Sequence, residues 1–509
     1  MVADVRRRVP FAARDALWAG AAALLGLATV LPPLLLAGAI IVAVGVAQPI
    51  VFYFLMLVGG PLKTLIETEA HFSLDVGQIA FALTVAGYLA HQVAARKRLF
   101  PFSLWNGVTL ALIVMILGAA GSLFVAESPA QTVSELVKWA EVLVISVVTA
   151  ALAVQYGRWS VLAGILLAGC VQALIGLYEF AGGSGAPNLR ILDNRFFRAF
   201  GTYGQPNPFG AMMEITLVLT LGLLFGAGAA LYQTVRAHTG WGGQATTPTP
   251  DDARAIVRVD LRIRPNLQVG QAAILAIILL GICGLLGAGL IASWSRGAWL
   301  GTAAGVAVLI IFAPRRRWLG LSLVMGAAVI IFGGAALGLL PNSLTARLSD
   351  FTQDLTGIDD VRGETITSES YAVLERLAHW QAAVAMASDH PWLGLGFGNY
   401  EVAYPRYALM NWKYPLGHAH NYYLNALAET GILGFVTYVG GWLAIAFVTV
   451  RRLHGTTGVT RGLLIGMLGV WAAIAVHSIF DKLYVNNLFL QVGAMFGLML
   501  TRRGTHDPI

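Results

Sequence analysis

The chain has 509 residues, 57% of them hydrophobic and 12% charged, with a mean hydropathy of +0.72. Soluble domains carry roughly 25% charged residues, so the composition excludes an ordinary soluble enzyme and points to a polytopic membrane protein. The formal charge of +7 does not indicate nucleic-acid binding, because the basic residues sit in short clusters between apolar runs, as membrane-flanking anchors do.

The N-terminus (MVADVRRRVPFAARDALWAG) has a basic start and no small-residue cleavage site before its apolar run, so it reads as a retained first span. Block 16–60 is apolar but broken at Pro32-Pro33 and Gln48-Pro49. Eleven further spans of about 20 apolar residues follow: 73–94, 104–126, 137–155, 159–181, 207–233, 271–293, 298–313, 318–340, 428–450, 462–480 and 484–501. With these spans, Arg96-Lys97-Arg98, Arg315 to Arg317, Arg451-Arg452 and Arg502-Arg503 all fall on one side, expected to be cytoplasmic. Arg6 to Arg8 joins them if block 16–60 crosses an odd number of times, and the two proline sites favour three crossings over one. The expected fold is therefore an all-α polytopic membrane protein of about 12–14 spans, with one large extracytoplasmic loop carrying interfacial helices. Cys170 and Cys283 lie inside apolar runs, far from any CxxC spacing, and read as buried small apolar residues.

Three segments organise the chain: N-terminal spans over 1–340, an outer loop over 341–424 and C-terminal spans over 425–509. Residues 234–270 form a polar inner linker, in which Ile256 to Arg264 alternates in a way that suits a short hairpin. The outer segment is too long for a mere connector, since structureless loops beyond about 15 residues are unusual. Within it, Tyr371 to Ser388 has helical spacing, with Tyr371, Leu374, Leu377, Ala378 and Gln381 on one face. Trp380 and Trp392 suggest an interfacial position. The helix should stop at Asp389-His390-Pro391. Glycines at 394, 396 and 398 then permit close backbone approach; they lack the strand and helix that a dinucleotide site requires.

The stretch GHAHNYYLNALAETGILGF (417–435) places two histidines at the mouth of a span. His420-Asn421, nine residues, Gly431, two residues and Gly434 resemble the signature of the O-antigen ligase family and its polymerase and protein-glycosylating relatives. FRAFGTYGQPNPFG (197–210), SWSRGAWLG (293–301), the Arg376…Trp380…Pro391…Gly394-x-Gly396 approach and HSIFD (477–481) resemble further motifs of that family in order, over about residues 130–490. The resemblance implies a membrane glycosyltransferase that moves a glycan from a polyprenyl (undecaprenyl) diphosphate carrier to an acceptor hydroxyl, by inversion and without a metal or other cofactor. It further implies catalysis by His420, with Asn421, Asn207 and Asp481 in support. Its partners would be the lipid-linked donor, a glycan or lipid-core acceptor and the bilayer. Its place would be a bacterial inner membrane, with the site facing the periplasm. The signature does not separate ligation from polymerisation.

The residues support a parallel physical reading. Arginines at a membrane edge are expensive and usually paired, and a diphosphate is a natural partner for their planar forks. Arg198, Arg296 and Arg376 are the candidates for that role; Arg190 and Arg195 read more readily as solvated loop charges. Bland alternatives stand beside each: an interfacial anchor for Arg198 and Arg296, an ion pair with Glu369 or the neighbours of Glu375 for Arg376, a pairing with Lys482 or an arginine for Asp481, and helix capping for Asn421. Gly431 and Gly434 serve close helix packing more readily than substrate contact. Tyr203, Gln205 and Asn207 either line a sugar path or form a turn. Glu135, Lys138 and Glu141 read as a span entrance. His418 and His420 also have the spacing of a metal pair, but in sequence no third ligand lies near, His379 and His390 being distant. There is no compact Asp-x-Asp and no HExxH; Asp359-Asp360 is the nearest outer acidic pair. A lipid-linked sugar transporter is the competing class, and it would favour internal repeats and charges at mid-membrane.

Overall fold

The computed structural model describes residues 38, 42–69, 75–100, 102–183, 189–191, 195–239, 265–339, 360–367 and 370–500. These fold as a helical bundle. In chain order it comprises α1 (Pro49–Gly59), α2 (Leu62–Glu69), α3 (Val76–Ala94), α4 (Gly107–Ala120), α5 (Pro129–Tyr156), α6 (Arg158–Phe180), the strands β1 (Arg190–Ile191) and β2 (Phe196–Phe197), α7 (Pro206–Thr239), α8 (Pro265–Ser293), α9 (Arg296–Phe312), α10 (Arg317–Ala336), α11 (Tyr371–Asp389), α12 (Tyr400–Tyr407), α13 (Tyr422–Arg452), α14 (Gly458–His477) and α15 (Leu488–Leu500). Among the described residues, nine helices are long and apolar enough to cross a membrane, and α1, α9 and α15 are shorter apolar helices. Each of the eleven predicted spans meets one of these helices. Most of block 16–60, the predicted hairpin at 256–264 and Asp359 lie outside the described residues, as does most of the inner linker.

Helix starts follow local chemistry. The side chains of Asp75, Asn106, Ser295 and Asn421 accept backbone N–H groups at the first turns of α3, α4, α9 and α13. Proline occupies the first turn of α1 and α5, where a missing N–H is harmless. The capping Asn421 starts α13 at Tyr422, six residues before the predicted span. The helices α7 and α14 approach closely along facing glycines: a Cβ on Gly222 would lie 2.4 Å from the Gly466 Cα, and one on Gly462 would lie 2.7 Å from the Gly226 Cα. The strands pair antiparallel, Arg190 opposite Phe197, and Arg190 lies over the Phe197 ring (5.0 Å).

The described part of the outer segment, 360–367 and 370–424, is packed against the bundle. The buried face of α11 is Leu377, Ala378, His379, Ala382, Ala383 and Met386, while Tyr371 is exposed. Spacing alone assigned Tyr371 to the apolar face; the structure rotates that face toward the site. Trp392 is exposed, whereas the Trp380 indole N–H donates to the His420 carbonyl (3.4 Å), so Trp380 serves the site.

Candidate active site

Helix α13 is broken at Gly431 (φ 62°, ψ −169°). A break inside an apolar helix frees backbone groups that must be bonded elsewhere. Segment 391–396 does this: Leu395 N–H donates to the Ala428 carbonyl (3.1 Å), Gly396 N–H to the Glu429 carbonyl (2.9 Å) and Ile432 N–H to the Pro391 carbonyl (2.8 Å). Glycine is required on both sides. A Cβ on Gly431 would sit 2.3 Å from the Trp392 carbonyl carbon, and one on Gly394 (φ 69°) would sit 2.3 Å from that of Glu429. The glycine run thus admits another stretch of the same chain.

Six parts of the chain bring the predicted residues to one end of the bundle: the stretch just after β2, the start of α7, the start of α9, α11, the turn into α13 and the segment after α14. The Tyr422 N–H donates to the Ser478 carbonyl (2.8 Å), which joins α13 to the end of α14. Four residues past His477, Asp481 lies 6% exposed with its carboxylate at the centre of the site. The Asn207 amide donates to Oδ2 (2.6 Å) and the Lys482 backbone N–H to Oδ1 (2.8 Å). His418 Nε2 and His420 Nδ1 face Oδ1 at 3.6 and 3.8 Å. Asn207 also accepts from the Arg198 guanidinium (3.4 Å), whose Nε–H donates to the Ser293 carbonyl (3.1 Å). A continuous polar chain therefore runs from Arg198 through Asn207 and Asp481 to the histidines. Arg376, on α11, bears electrostatically on His420. Arg296 opens α9, next to Gly297, where a Cβ would meet the His477 ring at 2.6 Å.

Three expectations change. The Asp481 carboxylate is engaged by the histidines and Asn207, and not by the Lys482 ammonium, which turns to Glu135 (3.4 Å). Lys138 meets the same carboxylate (2.5 Å), so the supposed span entrance is a buried ion cluster beneath the site. Tyr203 is 1% exposed and lies in the bundle core, so it lines no path. Asn421 takes the capping role, accepting from the N–H groups of Tyr423 and Leu424 (3.0 and 3.1 Å).

Electrostatics keep the rings neutral. Burial, adjacent His418 and Arg376 push His420 down to about 4, against the pull of Asp481. Burial likewise pushes His418 down to about 4. For Asp481 burial acts upward, but the two rings, His477 and the Lys482 N–H outweigh it and hold the carboxyl below its ordinary range. His420 itself has a left-handed backbone (φ 51°), unusual for a side-chain-bearing residue and the kind of strain that gathers at functional sites.

His418, His420 and Asp481 place potential ligand atoms within 4.8 Å of one another, so Asp481 is the third ligand that spacing alone did not reveal. The set nevertheless fits a metal poorly. His418 Nδ1 accepts the His420 backbone N–H (3.0 Å), so the neutral ring carries its proton on Nε2, the nitrogen that faces the other two groups. That nitrogen has no lone pair to offer an ion. What the arrangement favours is proton transfer: a carboxylate beside His420 Nδ1 draws the ring proton to that nitrogen and leaves Nε2 basic.

Sequence reading missed Glu214 and its pairing with His477 of the HSIFD motif, buried between α7 and α14 (Nδ1 to Oε2, 2.5 Å). An acidic residue inside an apolar span was the available signal. It set His379 aside as distant in sequence; His379 follows Arg376 by three residues and its ring lies 5.9 Å from that of His420.

No curated protein matches the chain. Residues 272–439 match the family model described as O-antigen ligase. This stretch contains Arg296, Arg376, His420, Asn421 and the Gly431 break, and over it the chain is similar to the O-antigen ligase family.

Proposed function

We propose that this protein transfers a glycan from a polyprenyl diphosphate to an acceptor hydroxyl, in the manner of a ligase. The family match supports the coarser statement, a membrane glycosyltransferase of the O-antigen ligase or polymerase type. The observation that carries the finer one is the Asp481 carboxylate set against a neutral, partly exposed His420. In this reading His420 Nε2 takes the acceptor proton, and the acceptor oxygen bonds to the anomeric carbon. The carbon–oxygen bond to the diphosphate breaks, its electron pair leaves with the phosphate oxygen, and the carbon inverts. Arg198, Arg296 and Arg376 hold the diphosphate; each charge-assisted bond contributes about 1.5–3 kcal/mol and stabilises the charge the leaving group gains. Asn207 and Asp481 orient the cations and the base.

Sidedness follows from the helix directions. Arg96 to Arg98, Arg315 to Arg317 and Arg451-Arg452 sit at the bundle end opposite the site. By the positive-inside tendency the site then faces the extracytoplasmic side of a bacterial inner membrane.

The test is transfer by purified protein from a polyprenyl-diphosphate oligosaccharide. His420→Ala should lower turnover about 10²–10⁴-fold, the usual worth of a general base, with binding of the lipid diphosphate retained. Unchanged turnover would remove His420 from the chemistry. A transporter of lipid-linked sugars would be nearly indifferent to the substitution. Chain growth from the donor alone, without a second acceptor, would make the enzyme a polymerase.

A further inference from the structure

His379 leaves the same face of α11 as Arg376, three residues earlier. Its residue is 1% exposed, yet its ring reaches the site: its centroid is 5.9 Å from that of His420, edge to face. The ring also stacks on Tyr404 (4.6 Å, 17°). One assignment of protons satisfies both contacts that the Tyr400 hydroxyl makes with His379. The Tyr400 hydroxyl lies 3.2 Å from the His379 carbonyl and 2.9 Å from its Nδ1. A carbonyl only accepts, so satisfying both contacts puts the single phenolic proton there. The Tyr400 oxygen must then accept, and His379 Nδ1–H is the donor. Nε2 is left with its lone pair, and no hydrogen bond among the described residues engages it. Burial and adjacent His420 push the ring down to about 4, so it stays neutral. A neutral acceptor nitrogen repels phosphate oxygens and pairs only with O–H or N–H groups. Beside the base, the substrate group of that kind is a glycan hydroxyl.

We propose that His379 is an acceptor-binding residue: its Nε2 accepts a hydrogen bond from a hydroxyl next to the one that His420 deprotonates. The inference rests on the transferase reading and deepens it, since the base works on the acceptor and the group in reach of both rings belongs to the same sugar. Two substitutions separate this role from simple packing. His379→Asn keeps an amide donor near the Nδ1 position for Tyr400 and loses the acceptor. His379→Gln keeps an oxygen near the Nε2 position and loses the donor.

The experiment uses the full-length protein in detergent with a polyprenyl-diphosphate oligosaccharide as donor. Lipid A–core oligosaccharide and a second molecule of the donor are each tried as acceptor with the wild type, and the one it uses serves for the variants. His379→Asn should raise the acceptor KM about tenfold, the worth of one hydrogen bond, with the donor KM and the thermal midpoint close to wild type. His379→Gln should recover most of that loss. An active wild type with an unchanged acceptor KM in His379→Asn overturns this inference alone. So does the reverse pattern, with Gln impaired and Asn intact, which assigns the ring to anchoring Tyr400. A wild type that moves no glycan to either acceptor overturns the transferase reading, and this inference with it.

Discussion

His420 is pulled in opposite directions by charged neighbours. Asp481 favours its protonated form, while burial, His418 and Arg376 favour the neutral form, and the balance rests near 4. A base must be neutral to work, so kcat/KM should be level through neutral pH and fall only as pH drops through about 4. Arg376→Gln removes a positive charge from beside the ring. Protonation becomes easier, and the acid limb should move up, toward the ordinary histidine value near 6.5. Asp481→Asn has the opposite sign: the ring loses its attracting charge, the limb moves down, and the plateau falls because the nearby carboxylate no longer favours the proton on Nδ1. A pH profile of kcat/KM for the three proteins checks both directions. An Arg376→Gln limb at or below the wild-type position would contradict the proximity of that guanidinium to the ring.

At the scale of elements, the junction of the broken α13 with segment 391–396 holds the histidine turn against the bundle. Gly431→Ala puts a Cβ 2.3 Å from the Trp392 backbone, in a positive-φ extended conformation essentially confined to glycine that costs about 1–3 kcal/mol by itself. Backbone cannot step aside as a flexible side chain can, so the thermal midpoint should fall clearly and activity with it. Gly440→Ala is the control: it lies in the same helix, its Cβ would meet nothing within 4 Å, and alanine is the better helix former by about 1 kcal/mol. Equal midpoints for the two variants would mean that the junction carries no stability. This junction also marks what was legible in the sequence. The spans were, because about 20 apolar residues in a row have few other fates. The glycines at 394 and 431 declared that something must come close, but the partner lies more than thirty residues away and shares no period with them. Asp481 likewise carried no local sign that it would face His420, since only the packing of α14 against α13 joins them. His379 was distant from His420 in sequence, and only the packing of α11 against α13 brings the two rings together.

Over the whole molecule, the polar machinery gathers at one end of an apolar bundle, and the Glu214–His477 pair extends it inward. Three glycines of α9 make room for this part of the fold. A Cβ on Gly297 would meet the His477 ring, one on Gly301 would lie 2.1 Å from Glu214 Oε1, and one on Gly305 would meet Val218. So the pair is fixed from three helices, α7, α9 and α14. Two of these carry site residues at their ends, Asn207 and Arg296, and the segment leaving the third carries Asp481. Removing one partner leaves the other buried alone, which typically costs about 3–5 kcal/mol, whereas replacing both with apolar groups is often near neutral. Glu214→Leu and His477→Leu should therefore each destabilise strongly, and the double variant should recover much of the loss. Unfolding in detergent for the four proteins of this cycle measures the coupling. Strict additivity would mean that the two side chains do not depend on one another. If the double variant refolds but transfers glycan poorly, the pair's role lies in aligning the ends of α7, α9 and α14, and not in holding the bundle together.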